Sequence, residues 1–394
     1  MMVAAAGEVG LRDPGAAAAP GAVRPHLVHV FPSFAHGGVP LRIATVMNHL
    51  GNAYRHTVVA MDGRHDARSR LDRSLSVAYE TVTAARYGLV GTVGRLSAAL
   101  RRLRPSLLLT YNWGAIEWAL ANTLAPVCPH LHLESGFGLE EAAGRIRRRA
   151  VFRRLALARA AGLVVPSRCL VRIATEEWRI PERKIHYIPN GVDLARFAAP
   201  HDPGLTAGLL GDRPGVVIGT VAPLRPEKGL HRLLNVFAGL AADGLEAKLL
   251  IVGEGSERPR LNALASSLGI ADRVVFAGHV DAVERIIGAI DVFVITSDTE
   301  QMPNALLQAM AAGRPVASVD VGDIREILPV LNRPFIVPVK AENQLGAAVS
   351  KLISDVELRR ALGAVNREHV ANHYAVADMF DAYTKLFEAV LDRR

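Results

Sequence analysis

The chain has 394 residues, half of them hydrophobic, with two cysteines and a formal charge of +8. A length prior of roughly 100–200 residues per domain makes it a two-domain chain. Two thiols, Cys128 and Cys169, exclude a disulfide scaffold and a cysteine-based zinc cluster and suit a reducing cytoplasm, and no apolar run reaches the roughly 18 residues of a membrane-spanning helix.

The first 25 residues are rich in Ala, Gly and Pro, carry Glu8 and Asp13, and lack a basic start, so residues 1–25 read as a disordered tail and not as a secretion signal. Strand-like runs then alternate with helical ones, the pattern of parallel sheets with covering helices. The first half offers HLVHVF (26–31), HTVVAM (56–61), SLLLTY (106–111), HLHLE (130–134), GLVVPS (162–167) and IHYIPN (185–190). Helical stretches fall between them, for example over 40–50 and 91–103. A breaker-rich segment at 198–215 reads as a linker. The second half restarts with VVIGTV (216–221), AKLLIVG (247–253), RVVFAG (273–278), DVFVIT (291–296), RPVASV (314–319) and PFIVPV (334–339). This predicts an α/β fold of two doubly wound, Rossmann-like domains, spanning 26–198 and 199–375.

The positive charge is local. The run RIRRRAVFRRLALAR (145–159) holds seven arginines and no acid, which leaves about +1 for the rest of the chain. Nucleic-acid binding would call for aromatic interleaving or a known module, and aromatics are only 5% here; no nucleic-acid partner is expected. Arg145–Arg159, with Val151, Phe152 and Leu155 between the charges, fits an anionic membrane surface or acceptor. It fits a solvated Arg-rich helix equally well.

Five clusters lie at strand-to-helix turns, where binding loops of open α/β sheets belong. In FAHGGVP (34–40), Gly37 and Gly38 let backbone amides approach a ligand, although a bare Gly-Gly is more often an ordinary turn. In HLHLESGFG (130–138), His132 and Glu134 share one side of a strand end, where they can meet a sugar hydroxyl or serve as structural hydrogen-bonding groups. PLRPEKGL (223–230) sets Arg225 and Lys228 beside a helix start, a pair suited to a pyrophosphate. IVGEGSERPRL (251–261) flanks Glu254 with glycines without the spacing of a dinucleotide fingerprint. In SDTEQMPNALLQAMAAGRPV (297–316), Glu300 sits after a strand, Pro303 marks the first turn of a helix, and Asn304 and Gln308 share a face of it. Such a helix start attracts phosphate. No trio of His, Asp or Glu has metal-ligand spacing, so no metal is expected.

These segments, together with IPNGVDLARF (188–197), occur in the order and spacing of glycosyltransferase family 4, which the chain resembles from about residue 26 to its C-terminus. The resemblance implies a GT-B architecture with the active site in the interdomain cleft. It also implies a last helix, about 376–394, that packs back on the first domain. It implies a retaining, metal-independent transferase using a UDP- or GDP-sugar, with no cofactor besides that substrate. Glu300 matches the acid that contacts the donor sugar, and Asn304 and Ala305 lie where backbone amides meet phosphate or sugar. Gln308 stands where the family has a second acid, which holds the ribose. Arg225 and Lys228 fall at the pyrophosphate, with Glu254 and Phe276 as further substrate-binding positions. His132 is the candidate active-site histidine, and Glu134 competes for that alignment.

Two departures stand out. Gln308 is neutral where the family carries a carboxylate, and Pro223 occupies the usual place of the pyrophosphate Arg, with Arg225 as the candidate substitute. The expected function is transfer of a hexose-type sugar to a hydroxyl acceptor, a sugar or lipid-linked sugar, in cell-surface polysaccharide or glycolipid synthesis. The expected location is the cytoplasm or the inner face of the membrane. The alternatives are a sugar-nucleotide 2-epimerase on the same scaffold, or a silent sugar-nucleotide-binding partner of a polysaccharide complex.

Overall fold

The computed structural model describes residues 24–82, 88–137, 146–211 and 215–393. Residues 1–23 of the expected tail, and Arg145 at the head of the basic run, lie outside them. The first sheet comprises β1 (His26–Phe31), β2 (Arg55–Ala60), β3 (Val77–Glu80), β4 (Leu107–Tyr111), β5 (His130–Leu133), β6 (Gly162–Val165) and β7 (Ile185–Tyr187), in the order β3-β2-β1-β4-β5-β6-β7. The second comprises β8 (Val216–Val221), β9 (Ala247–Val252), β10 (Val274–Gly278), β11 (Val292–Ile295), β12 (Val316–Val319) and β13 (Ile336–Val337), in the order β10-β9-β8-β11-β12-β13. The pairings from β3 to β6 and throughout the second sheet are parallel. Both are Rossmann-like α/β sheets, as the alternation of runs predicts.

Each apolar run read from the sequence contains a strand. That reading missed β3, whose residues are all half-buried or exposed, so it forms no apolar run. The expected linker also needs correction: Pro203–Leu210 is a helix. Asp202 accepts from the Leu205 N–H at 3.0 Å and Pro203 occupies the first turn. Both residues look like chain breakers in sequence, yet an Asp N-cap followed by Pro is how a helix begins.

The described chain falls into two compact units. One takes the stretches up to Glu134, Val151–Val164 and from Tyr383 onward; the other takes Ser135–Ala150 and Val165–Ala382. In the first unit, Val28, Val30, Val59, Leu108, Leu96, Leu100 and Trp118 form a core cluster, the near-continuous apolar strands that a parallel sheet covered on both faces requires. Tyr383, Phe387 and Val390 of the last helix, Val376–Leu391, are buried.

The same sheet also buries a polar set. His29 Nδ1 lies 2.8 Å from the Tyr111 hydroxyl and its Nε2 lies 3.1 Å from His56 Nδ1. His26 Nε2 pairs with Thr57 Oγ1 at 2.8 Å. Thr110 Oγ1 lies 2.8 Å from both His130 Nε2 and His132 Nδ1. Buried imidazoles resist charging because protonation would place a cation in a poorly solvated interior. Burial accordingly holds His29 and His130 well below the ordinary value, with neighbouring histidines adding to the effect.

Candidate functional site

Two loops of the second unit are fastened together. After β8 the chain makes the turn Pro226–Lys228 and passes through Gly229, which has φ +59°. A Cβ at Gly229 would lie 2.4 Å from the Thr296 carbonyl oxygen, so this close approach requires glycine. After β11, the Asp298 N–H donates to the Glu227 carbonyl at 2.8 Å. The Thr296 hydroxyl donates to the Lys228 carbonyl at 3.1 Å. Arg232, in the helix Leu230–Ala242, is buried and bonds to Asp298.

This fastening brings Lys228 and Glu300 together. Lys228 Nζ donates to Glu300 Oε1 at 2.5 Å, and the Ser297 hydroxyl donates to the same oxygen at 2.7 Å. Lys228 is 18% exposed and Glu300 12%. Arg225 lies on the same turn, 62% exposed, with Glu227 at 4.0 Å as its ion-pair partner. Its fork is open to an anion. Pro223 is exposed beside it.

The following helix, Asn304–Ala311, starts one residue later than the sequence suggests, with Pro303 as its N-cap and no side chain capping it. Asn304 Oδ1 accepts from Asn190 Nδ2 at 2.8 Å, and Asn190 also donates to the Met302 carbonyl at 2.9 Å. Asn190 thus anchors the helix start through a side chain. Ala305 is half-buried in that turn. Gln308, one turn on, is also half-buried, and its amide has no hydrogen-bond partner among the described residues.

Glu254 belongs to a second fastened pair of loops. The Leu224 N–H donates to the Glu254 carbonyl at 2.9 Å, and the Glu257 N–H to the Leu224 carbonyl at 3.0 Å. A Cβ at Gly255 would come within 2.3 Å of that same Leu224 oxygen. Arg258 Nη1 reaches Glu254 Oε1 at 3.2 Å while its guanidinium stands 4.9 Å from the centre of the Phe276 ring. The second unit therefore gathers Arg225 and Lys228 with Glu300, holds Asn304, Ala305 and Gln308 on one helix, and places Glu254 beside Phe276.

The first-unit candidates have different surroundings. Gly37 is the extended N-cap of the helix Gly38–Leu50. His132 and Glu134 are fully buried. His132 Nε2 lies 3.7 Å from Glu134 Oε2, which also takes Arg153 Nε at 3.2 Å. Arg153 is buried, with its guanidinium 4.8 Å from the Trp113 ring centre. Neither His132 nor Glu134 presents an atom to solvent, and one arginine of the basic run is a core counter-charge. No group of three or more His, Cys, Asp or Glu side chains among the described residues is placed to hold a metal ion.

Comparison with known proteins decides the family. Residues 36–196 match the family described as Glycosyltransferase Family 4, and residues 212–369 match Glycosyl transferases group 1. The chain belongs to glycosyltransferase family 4. Among its relatives, the 2-deoxystreptamine glucosyltransferase of Streptomyces kanamyceticus is 28% identical over 61% of this chain and 63% of its own length. A GDP-mannose-dependent alpha-(1-6)-phosphatidylinositol monomannoside mannosyltransferase of Mycobacterium tuberculosis is 32% identical over 48% of this chain and 52% of its own. The chain thus spans somewhat over half the length of these relatives. Of the solved structures, Anabaena HepE in complex with UDP and glucose superposes with a TM-score of 0.79 at 17% identity, covering 93% of this chain and all of HepE. Sucrose-phosphate synthase from Thermosynechococcus elongatus gives 0.78 at 19%, covering 94% of this chain and all of the synthase. Like these structural neighbours, this family 4 chain has the GT-B fold.

Proposed function

We propose that the protein is a retaining, metal-independent glycosyltransferase that moves a hexose-type sugar from a UDP- or GDP-sugar to a hydroxyl of a sugar or lipid-linked acceptor. The observation that carries this reading is the convergence of Lys228, Glu300 and the uncapped start of the helix Asn304–Ala311 in one fastened pair of loops. Lys228 supplies a point charge for the departing diphosphate and Arg225 an open bidentate fork. The first-turn amides of Asn304 and Ala305 add fixed donors, so the developing charge meets preorganised dipoles. Glu300 accepts from a sugar hydroxyl, and the free amide of Gln308 can both donate to and accept from a ribose diol. Relatives named for glucosyl and GDP-mannose-dependent mannosyl transfer, and a structural neighbour that holds UDP and glucose, support a nucleotide-sugar donor.

On the acceptor side, Val151 and Leu155 are each 59% exposed on the helix Arg147–Ala156. They lie beside exposed Arg147, Arg148 and Arg154. A mixed basic and apolar face supports work at an anionic membrane, on polysaccharide or glycolipid. No helix among the described residues is long and apolar enough to cross a membrane.

The test is release of UDP or GDP from a panel of sugar nucleotides with lipid-linked and soluble acceptors, with and without EDTA. Acceptor-dependent release that survives EDTA, with the product anomer matching the donor, is the expected result. Binding of a donor without turnover on any acceptor would make the protein a silent sugar-nucleotide-binding partner. An epimerised sugar would make it a 2-epimerase.

A further inference from the structure

The bond between Lys228 and Glu300 joins two groups that the proposed function assigns to different parts of the donor: the ammonium to the diphosphate, the carboxylate to the sugar. They neutralise each other at 2.5 Å, with little of either exposed. A diphosphate cannot take full advantage of Lys228 while a carboxylate shares its ammonium, because the two anions would stand a few ångströms apart in a poorly solvated place. Ser297 gives Glu300 a second attachment: its hydroxyl donates to the same Oε1 at 2.7 Å. The carboxylate can leave the ammonium and keep a hydrogen bond. Among the described residues its Oε2 has no partner.

We propose that Glu300 is an exchangeable internal counter-ion that makes the site discriminate between the intact sugar nucleotide and the bare nucleoside diphosphate. This rests on the donor reading above. When the intact donor binds, the diphosphate takes Lys228, and Glu300, still held by Ser297, turns its carboxylate to a sugar hydroxyl, so the lost ion pair is replaced. When the sugar has been transferred, no hydroxyl remains for Glu300. The carboxylate then returns to Lys228 and competes with the diphosphate, which hastens release of the product. No bond is made or broken in this exchange; one charge-assisted hydrogen bond replaces another.

The experiment measures, by calorimetry on the full chain, the Kd of UDP or GDP and of the matching intact sugar nucleotide, for the wild type and for Glu300→Gln. The substitution keeps shape and removes the charge. The bare diphosphate is expected to bind Glu300→Gln on the order of tenfold more tightly, the size of a lost charge-assisted competitor, while the intact donor binds no more tightly than to the wild type. Unchanged or weaker binding of the bare diphosphate overturns the exchange. So does equal tightening of both ligands, which would mean simple through-space repulsion. Far-ultraviolet circular dichroism checks that the variant is folded. A wild type that binds neither nucleotide would sink the donor reading itself, an outcome distinct from the other two.

Discussion

Acid should unfold this protein at a pH set by its buried histidines. His56 is lowered from an ordinary 6.5 to about 4, chiefly by burial. His29 and His130 are lowered by burial too, as is His26. Between those values the folded state binds fewer protons than the unfolded chain. Stability is therefore complete above about pH 6.5 and is lost as pH falls toward the folded value. For His56 alone the shift corresponds to about 3 kcal/mol over the window, of which roughly 2 kcal/mol has gone by pH 5. The other imidazoles add to this, and Glu117, raised by burial, works the other way. Urea unfolding of a Trp178→Phe variant, read by the fluorescence of Trp113 and Trp118, isolates the first unit. Its midpoint should fall steeply between about pH 7 and 5, and His56→Gln should flatten that slope even if it lowers the midpoint at neutral pH. A midpoint that does not move with pH, or an unchanged slope in His56→Gln, would refute the reasoning.

Gln308→Leu should raise the donor KM clearly by leaving ribose hydroxyls unpaired, while Gln308→Glu should be tolerated; steady-state kinetics with the reverse ranking would make the position a structural one. Arg153→Met should cost about 3–5 kcal/mol by stranding the buried Glu134 carboxylate, and adding Glu134→Gln should recover much of it in thermal unfolding. Arg232→Met, which releases Asp298 and loosens the loop bearing Glu300, should reduce kcat/KM about tenfold. In a Glu300→Gln background the same change should do little, and additive losses would show that Arg232 does not act through Glu300.

Much of this site can be read from the sequence because its residues sit at loop positions that the strand runs define. Lys228, Glu300, Asn304 and Gln308 all follow strands with strong apolar signatures. Their supports were not legible. Arg232 looks like any charged residue on a helix, and only the pairing of β8 with β11 brings it to Asp298. Asn190 stands in a recognisable segment, but its partner Asn304 is 114 positions away. Arg153 is one arginine among many in its run, and tertiary packing alone selects it for burial against Glu134. For His132 the sequence leaves the role open. Its alternation with Glu134 allows either a functional pair or structural hydrogen-bonding groups, and both side chains are fully buried at the end of β5. The helix Pro203–Leu210 was hidden because the residues that start a helix are also those that end one.

The fastening of the loop after β8 to the loop after β11 also bears on how the site comes into being. Lys228 and Glu300 are 72 residues apart, so neither loop can hold the other until β8 and β11 lie side by side in the sheet. Loop closure over that distance is slow and entropically costly, and it places the site among the non-local contacts of the fold. A partly folded second unit would have both loops and no candidate site. On the donor reading proposed above, nucleotide affinity is a property of the completed sheet. On the same reading a bound nucleotide would stabilise the second unit through mass action, and saturable nucleotide binding in a freshly purified sample would report how much of it has folded to the end.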